Sequence, residues 1–328
     1  MKPLARVAGE QIMWMKIIGG VLLSVVLGVH AQAPADAVSH GGANELLVPQ
    51  GVIAGGFSAP ASPVHGQTPL GPYIKLVRPS AVAANGPDLY VADSAQRLLL
   101  RVDTVTQAVT PLGDISPLPG TRLKAGPDGS VYVLRPDRGE ITRLTRDGRR
   151  IAGFRAKYDV LQPADVVIEP TLNRVWISDA AGGVFAFHPS GRMSEPLIGR
   201  GDGFAGEFPG ATLLAASRER VTGIDPRCRC IIDFDHEGGI IAQYGENTLT
   251  SPSDLAIDAH GRTWVVDRGD NRLKVFAGGQ LLASIEPRRL GLIEITAISI
   301  DVDRAYISDG PAGRIGVFAV IPPQRRMP

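Results

Sequence analysis

The chain of 328 residues is 44% hydrophobic and 20% charged, with 34 Lys and Arg against 33 Asp and Glu and a net charge of +1. A chain so balanced exerts no general pull on phosphate and has no Lys/Arg-rich run to supply a local one, which argues against a nucleic-acid partner. Its 39 Gly and 26 Pro indicate many tight turns and short elements, and point to an all-β chain.

Met15-Lys16 is followed by the apolar run Ile17 to Val29 and then by Ala31-Gln32-Ala33, the small-x-small pattern that signal peptidase accepts. Residues 1–33 therefore read as a signal peptide cleaved after Ala33, and Met15 alone opens a well-formed signal. The apolar stretch falls short of the roughly 20 residues that span a bilayer, so no stable membrane span is expected after cleavage. A periplasmic or secreted protein follows. Residues 34–50 read as a flexible leader, Gly51–Phe57 as a strand, and Ser58–Pro72, rich in Pro, Gly and Ser, as a long loop.

Beyond this point one phrase recurs: Pro, an apolar strand, a turn, a β-branched strand ending in Asp, and a third strand. Its clearest copies run from Arg78 to Asp93, Gln162 to Asp179 and Ser251 to Asp267; weaker ones run from Thr121 to Arg135, Phe208 to Asp225 and Ile295 to Asp309. The anchors Asp93, Arg135, Asp179, Asp225, Asp267 and Asp309 are separated by 42 to 46 residues. A fourth strand precedes each next copy, as in Ile240–Gly245. Four short strands cannot bury a core alone, so six units arranged radially are expected: a six-bladed β-propeller of four-stranded antiparallel blades over residues 51–320. The sixth unit stops at Pro322-Pro323 without a fourth strand, leaving 321–328 as a tail. Gly51–Phe57 is expected to fill the vacancy, so that an N-terminal strand closes the ring and covers its open edge.

The phrase resembles the NHL repeat, with Pro-x-Gly/Asp-apolar-Ala-apolar-Asp, then apolar-Ala/Ser-Asp, then Asn/x-Arg-apolar. The copy from Ser251 to Phe276 matches nearly throughout, whereas the unit from Thr121 departs most, with Leu134-Arg135 in place of Ala/Ser-Asp. The resemblance implies a propeller of exported bacterial type that grips a protein, peptide or glycan through one face. It also implies rival chemistries, since related lyases hold zinc with channel histidines and gluconolactonase-like members use a Glu/Asn/Asp cluster on a divalent ion.

The recurrent Asp93, Asp179, Asp225, Asp267 and Asp309 are expected to be structural, accepting backbone N–H bonds at turns and pairing with a nearby Arg: Asp93 with Arg97, Asp267 with Arg272, Asp309 with Arg314. Activity should lie where the units differ. Of the residue pairs that start the innermost strands, three carry a charge, and Arg122, Asp165 and Asp254 form the candidate ligand-binding set at the channel mouth. Substitution of Asp254 is expected to disturb binding more than folding.

No catalytic set is complete. His30, His40 and His65 precede the repeats, and His188, His236 and His260 sit at turns away from the mouth, which argues against a three-histidine zinc site. Asp165 and Asp254 could contribute to a calcium site, but no Glu or Asn completes it. No cofactor is therefore expected. No Gly-x-Ser-x-Gly elbow occurs, the Gly199–Gly203 loop precedes a strand rather than a helix, and the Arg-Gly-Asp triplets at Arg200 and Arg268 read as turn composition. Cys228 and Cys230 are too few for a disulfide framework and leave their oxidation state open. The function expected is a non-enzymatic binding propeller engaging an envelope protein, peptide or glycan. The alternative is a metal-assisted hydrolase or lyase with its site at the channel mouth.

Overall fold

Alternating apolar residues and left-handed turn positions divide the described residues into 25 short strands. The computed structural model describes residues 46–58, 71–113, 115–151, 162–190, 193–198 and 211–323. The expected signal peptide, most of the leader, the Gly199–Gly203 loop and the triplet at Arg200 lie outside those residues. No helix among the described residues is long and apolar enough to cross a membrane.

In chain order, β1 (Leu47–Ile53), β2 (Gly55–Phe57) and β3 (Tyr73–Lys75) precede the repeats. Blade one is β4 (Pro79–Asn85), β5 (Asp88–Asp93), β6 (Leu98–Asp103) and β7 (Val109–Pro111). Blade two has β8 (Arg122–Ala125), β9 (Val131–Arg135) and β10 (Glu140–Leu144). Beyond β10 the chain turns back, with Ile151 N–H donating to Arg143 O at 2.9 Å. Blade three is β11 (Pro163–Glu169), β12 (Arg174–Asp179), β13 (Val184–Phe187) and β14 (Met193–Ile198). Blade four is β15 (Leu213–Ala216), β16 (Val221–Asp225), β17 (Cys230–Phe234) and β18 (Ile240–Tyr244). Blade five is β19 (Pro252–Ile257), β20 (Thr263–Asp267), β21 (Arg272–Ala277) and β22 (Gln280–Ile285). Blade six joins β23 (Ala297–Asp301), β24 (Arg304–Asp309) and β25 (Arg314–Val320) to β1. The protein is thus an all-β six-bladed propeller.

Burial follows position in the blade. Second strands such as β5 and β12 are sandwiched between neighbouring blades and are buried on both faces, which is why they read as continuous apolar runs. Outer strands such as β18 are largely exposed. Six apolar clusters fill six blade-to-blade seams. Tyr90 and Leu99 of blade one meet Leu123 and Val133 of blade two, and Tyr132 meets Val166 and Ile177. Trp176 packs with Val221 and Phe234, and Ile231 with Val265 and Phe276. Trp264 meets Ile307 and Phe318, and Tyr306 meets Val91 and Leu100, which returns the series to blade one.

The strand beside β25 overlaps the expected Gly51–Phe57 only in Gly51–Ile53 and begins four residues earlier, at Leu47. Leu47 through Ile53 pair with Val320 through Ile315, with a register shift between Pro49 and Gly51, whereas Gly55–Phe57 pair with Tyr73–Lys75. Strand pairing therefore begins inside the segment expected to be leader. Leu47 is fully buried in the seam between blades five and six, and Pro49 is tolerated because it falls on an edge strand at the irregularity. Gly55 ends the run: its φ is +146° and an added Cβ would lie 2.2 Å from Ile74 O, so only Gly fits there.

Blade two, the most divergent copy, forms its turn by other means. Arg135 replaces the usual Asp and pairs with Glu140 across a 3₁₀ turn, Pro136–Arg138, that ends in left-handed Gly139.

Candidate functional site at the channel mouth

Asp93, Asp179, Asp267 and Asp309 hold the entry to the innermost strand of their blades. Asp93 accepts from the N–H of Val77 at 2.7 Å and Arg78 at 3.2 Å, Asp267 from Thr250 and Ser251 at 2.7 Å each, and Asp309 from Ile293 at 3.0 Å and Glu294 at 3.2 Å. Asp179 accepts from Gln162 and Ala181. Asp225 takes the backbone and side chain of Arg227. Of the three Arg partners suggested by spacing, only Arg314 meets its aspartate, at 3.1 Å from Asp309. Asp93 takes Gln96 instead. Asp267 takes the buried Lys274 at 2.7 Å, while Arg272 turns outward to Glu286. Burial alone would raise the Asp267 carboxyl, but the Lys274 hydrogen bond and the two N–H donors outweigh it and hold it below the ordinary value.

Arg122, Asp165 and Asp254 converge at the channel, and a fourth residue joins them. Arg122 and Lys124 stand two apart on β8 and so project from the same face. The Arg122 guanidinium reaches across to blades three and five, donating to Ala164 O at 3.1 Å and Ser253 O at 2.8 Å, with Asp254 at 4.0 Å. Beneath it the Lys124 ammonium lies 3.8 Å from both Asp165 and Asp254 and donates to Leu214 O at 3.0 Å. The residues that start each innermost strand point to Arg122 and not to Lys124, although strand alternation in Arg-Leu-Lys places the two on one face.

Both carboxylates also bind the next blade. Asp165 accepts from the N–H of Val166 at 2.8 Å and Leu214 at 2.9 Å, and Asp254 from Leu255 at 3.0 Å and Ile298 at 2.9 Å. Blade two's two cations therefore tie blades three, four and five together, and Asp254 links five to six. Burial raises the Asp254 carboxyl above the usual carboxylate value, against the pull of Lys124 and Arg122. These bonds also give Asp254 a part in holding the ring.

Above this layer opens a cavity of about 520 Å³, at the end where the innermost strands begin. Below it the channel is lined mainly by apolar residues, among them Val82, Leu123 and Ile298. His188, His236 and His260 lie in hairpins at the opposite end. Among the described residues no three His, Cys, Asp or Glu are grouped to hold a metal ion. Cys228 and Cys230 form a disulfide in the β16–β17 turn.

No family model matches the chain, and no curated protein matches it. Solved structures share its fold. A gluconolactonase from Xanthomonas campestris superposes with a TM-score of 0.56 at 17% identity, covering 75% of this chain and 86% of that one. Virginiamycin B lyase from Staphylococcus aureus, solved with quinupristin, gives 0.54 at 12%, covering 84% and 98%. A PQQ-bound aldose sugar dehydrogenase from Streptomyces coelicolor gives 0.53 at 15%, covering 84% and 98%. At these identities the likeness is one of fold.

Proposed function

We propose that this chain is an exported, NHL-type binding propeller that engages an envelope protein, peptide or glycan through the face on which the innermost strands begin. The observation that carries this reading is the position of Lys124. Its ammonium lies between Asp165 and Asp254, where a bound cation would have to displace it, and the N–H groups of Val166 and Ile298 take the second oxygen of each carboxylate. The donor set that a metal-assisted hydrolase would use is thus already committed to the scaffold, while the cavity above remains large enough for part of a ligand. Ala95 is exposed and lines that cavity, so Ala95→Trp should fill it without touching the seams. Capture of a partner from envelope extract by the wild-type chain, lost with Ala95→Trp at unchanged melting temperature, is the expected result. Equal capture by both proteins would count against this face.

A further inference from the structure

The lining of the mouth cavity is one-sided in charge. Arg78, Arg122, Lys124 and Arg268 contribute four cationic groups, against the single carboxyl of Asp254, in a chain whose overall charge is only +1. The four have different tasks. Lys124 is consumed by the two carboxylates and Leu214 O. Arg122 is held rigid by the carbonyls of Ala164 and Ser253, which use Nε and Nη1 and leave Nη2 without a protein partner among the described residues. The Arg78 guanidinium, exposed at the rim, has no side-chain partner among those residues, although its backbone N–H is anchored on Asp93. Among the described residues the Arg268 side chain approaches only Glu294, at 3.9 Å. A fixed guanidinium on the floor and two lightly engaged ones at the rim match oxyanions, because the planar fork of N–H donors pairs with two oxygens at once. Leu123, Val82 and Ala297 supply apolar wall between them.

We propose that this cavity seats an organic anion whose carboxylate or phosphate group meets the Arg122 guanidinium and whose remaining charge is met by Arg78 and Arg268. This rests on the reading of that face as the binding face and adds the chemical class of what it takes. The anion supplies the charge the floor lacks and leaves the Lys124 layer undisturbed. Recognition is electrostatic in part and weakens as salt is raised.

The test is calorimetric titration of the full mature chain with succinate and with glycerol 3-phosphate, beside the neutral succinamide and glycerol. Binding of at least one anion, undetectable for its neutral counterpart and weakened about tenfold or more in Arg78→Ala/Arg268→Ala at unchanged melting temperature, is expected. Which anion binds separates a carboxylate from a phosphate source. Anions and neutral analogues behaving alike would overturn the proposal, as would anion binding that the double substitution leaves intact. Envelope capture by the same variant separates the two levels of the account. Capture lost in Ala95→Trp but kept in Arg78→Ala/Arg268→Ala removes the anion and leaves the face. Capture kept in both removes the face as well.

Discussion

Removing the Lys124 ammonium would leave two buried carboxylates facing each other with only backbone donors and a more distant guanidinium. An uncompensated buried charge typically costs about 3–5 kcal/mol, and urea unfolding of Lys124→Met should register a loss of that order. Adding Asp254→Asn should recover part of it. Asp267 provides a pH test with the opposite sign of shift. Its folded-state value lies below its unfolded one, so its stabilisation is complete above the unfolded carboxylate range and is lost as pH falls through the folded value. Unfolding free energies followed from neutral into acid should show a smaller decline for Asp267→Asn than for wild type. The recurrence of Asp at strand ends made its scaffold role legible. Lys274 as the partner of Asp267 was not, because spacing alone favoured Arg272; the two stand on one face of β21, and Arg272 pairs with Glu286 instead, leaving Asp267 to Lys274.

Strand boundaries were less legible than strand existence. β1 carries one buried residue in seven positions, Leu47, followed by exposed ones through Val52, so it offers no apolar period to read, and Pro49 argues against a strand until its edge position is known. If Leu47 fixes the register, Leu47→Ala should cost about 2–5 kcal/mol, while Val52→Ala, at a site 56% exposed on the same strand, should stay within about 0.5 kcal/mol. Thermal melts of the two variants compare them directly. Equal effects would mean that β1 is held by backbone pairing alone. Blade two teaches the complementary lesson: Pro136 and Gly139 were visible in the sequence, but that Arg135 and Glu140 would replace an Asp-based turn required the pairing of β9 with β10.

At the scale of the molecule, the repeat spacing made the six-fold ring readable, because each unit leaves apolar surface on both faces and the six seams are where it goes. The channel trio was readable as a convergence of charge and not as a role, since the role depends on Lys124 and on bonds into neighbouring blades. The central claim is that these carboxylates hold the scaffold's own ammonium. Calorimetric titration of chelator-treated protein with calcium tests it most directly, with Asp165→Asn as the control. The account predicts no stoichiometric binding at the channel for wild type. One equivalent of calcium bound by wild type and lost in Asp165→Asn would contradict it.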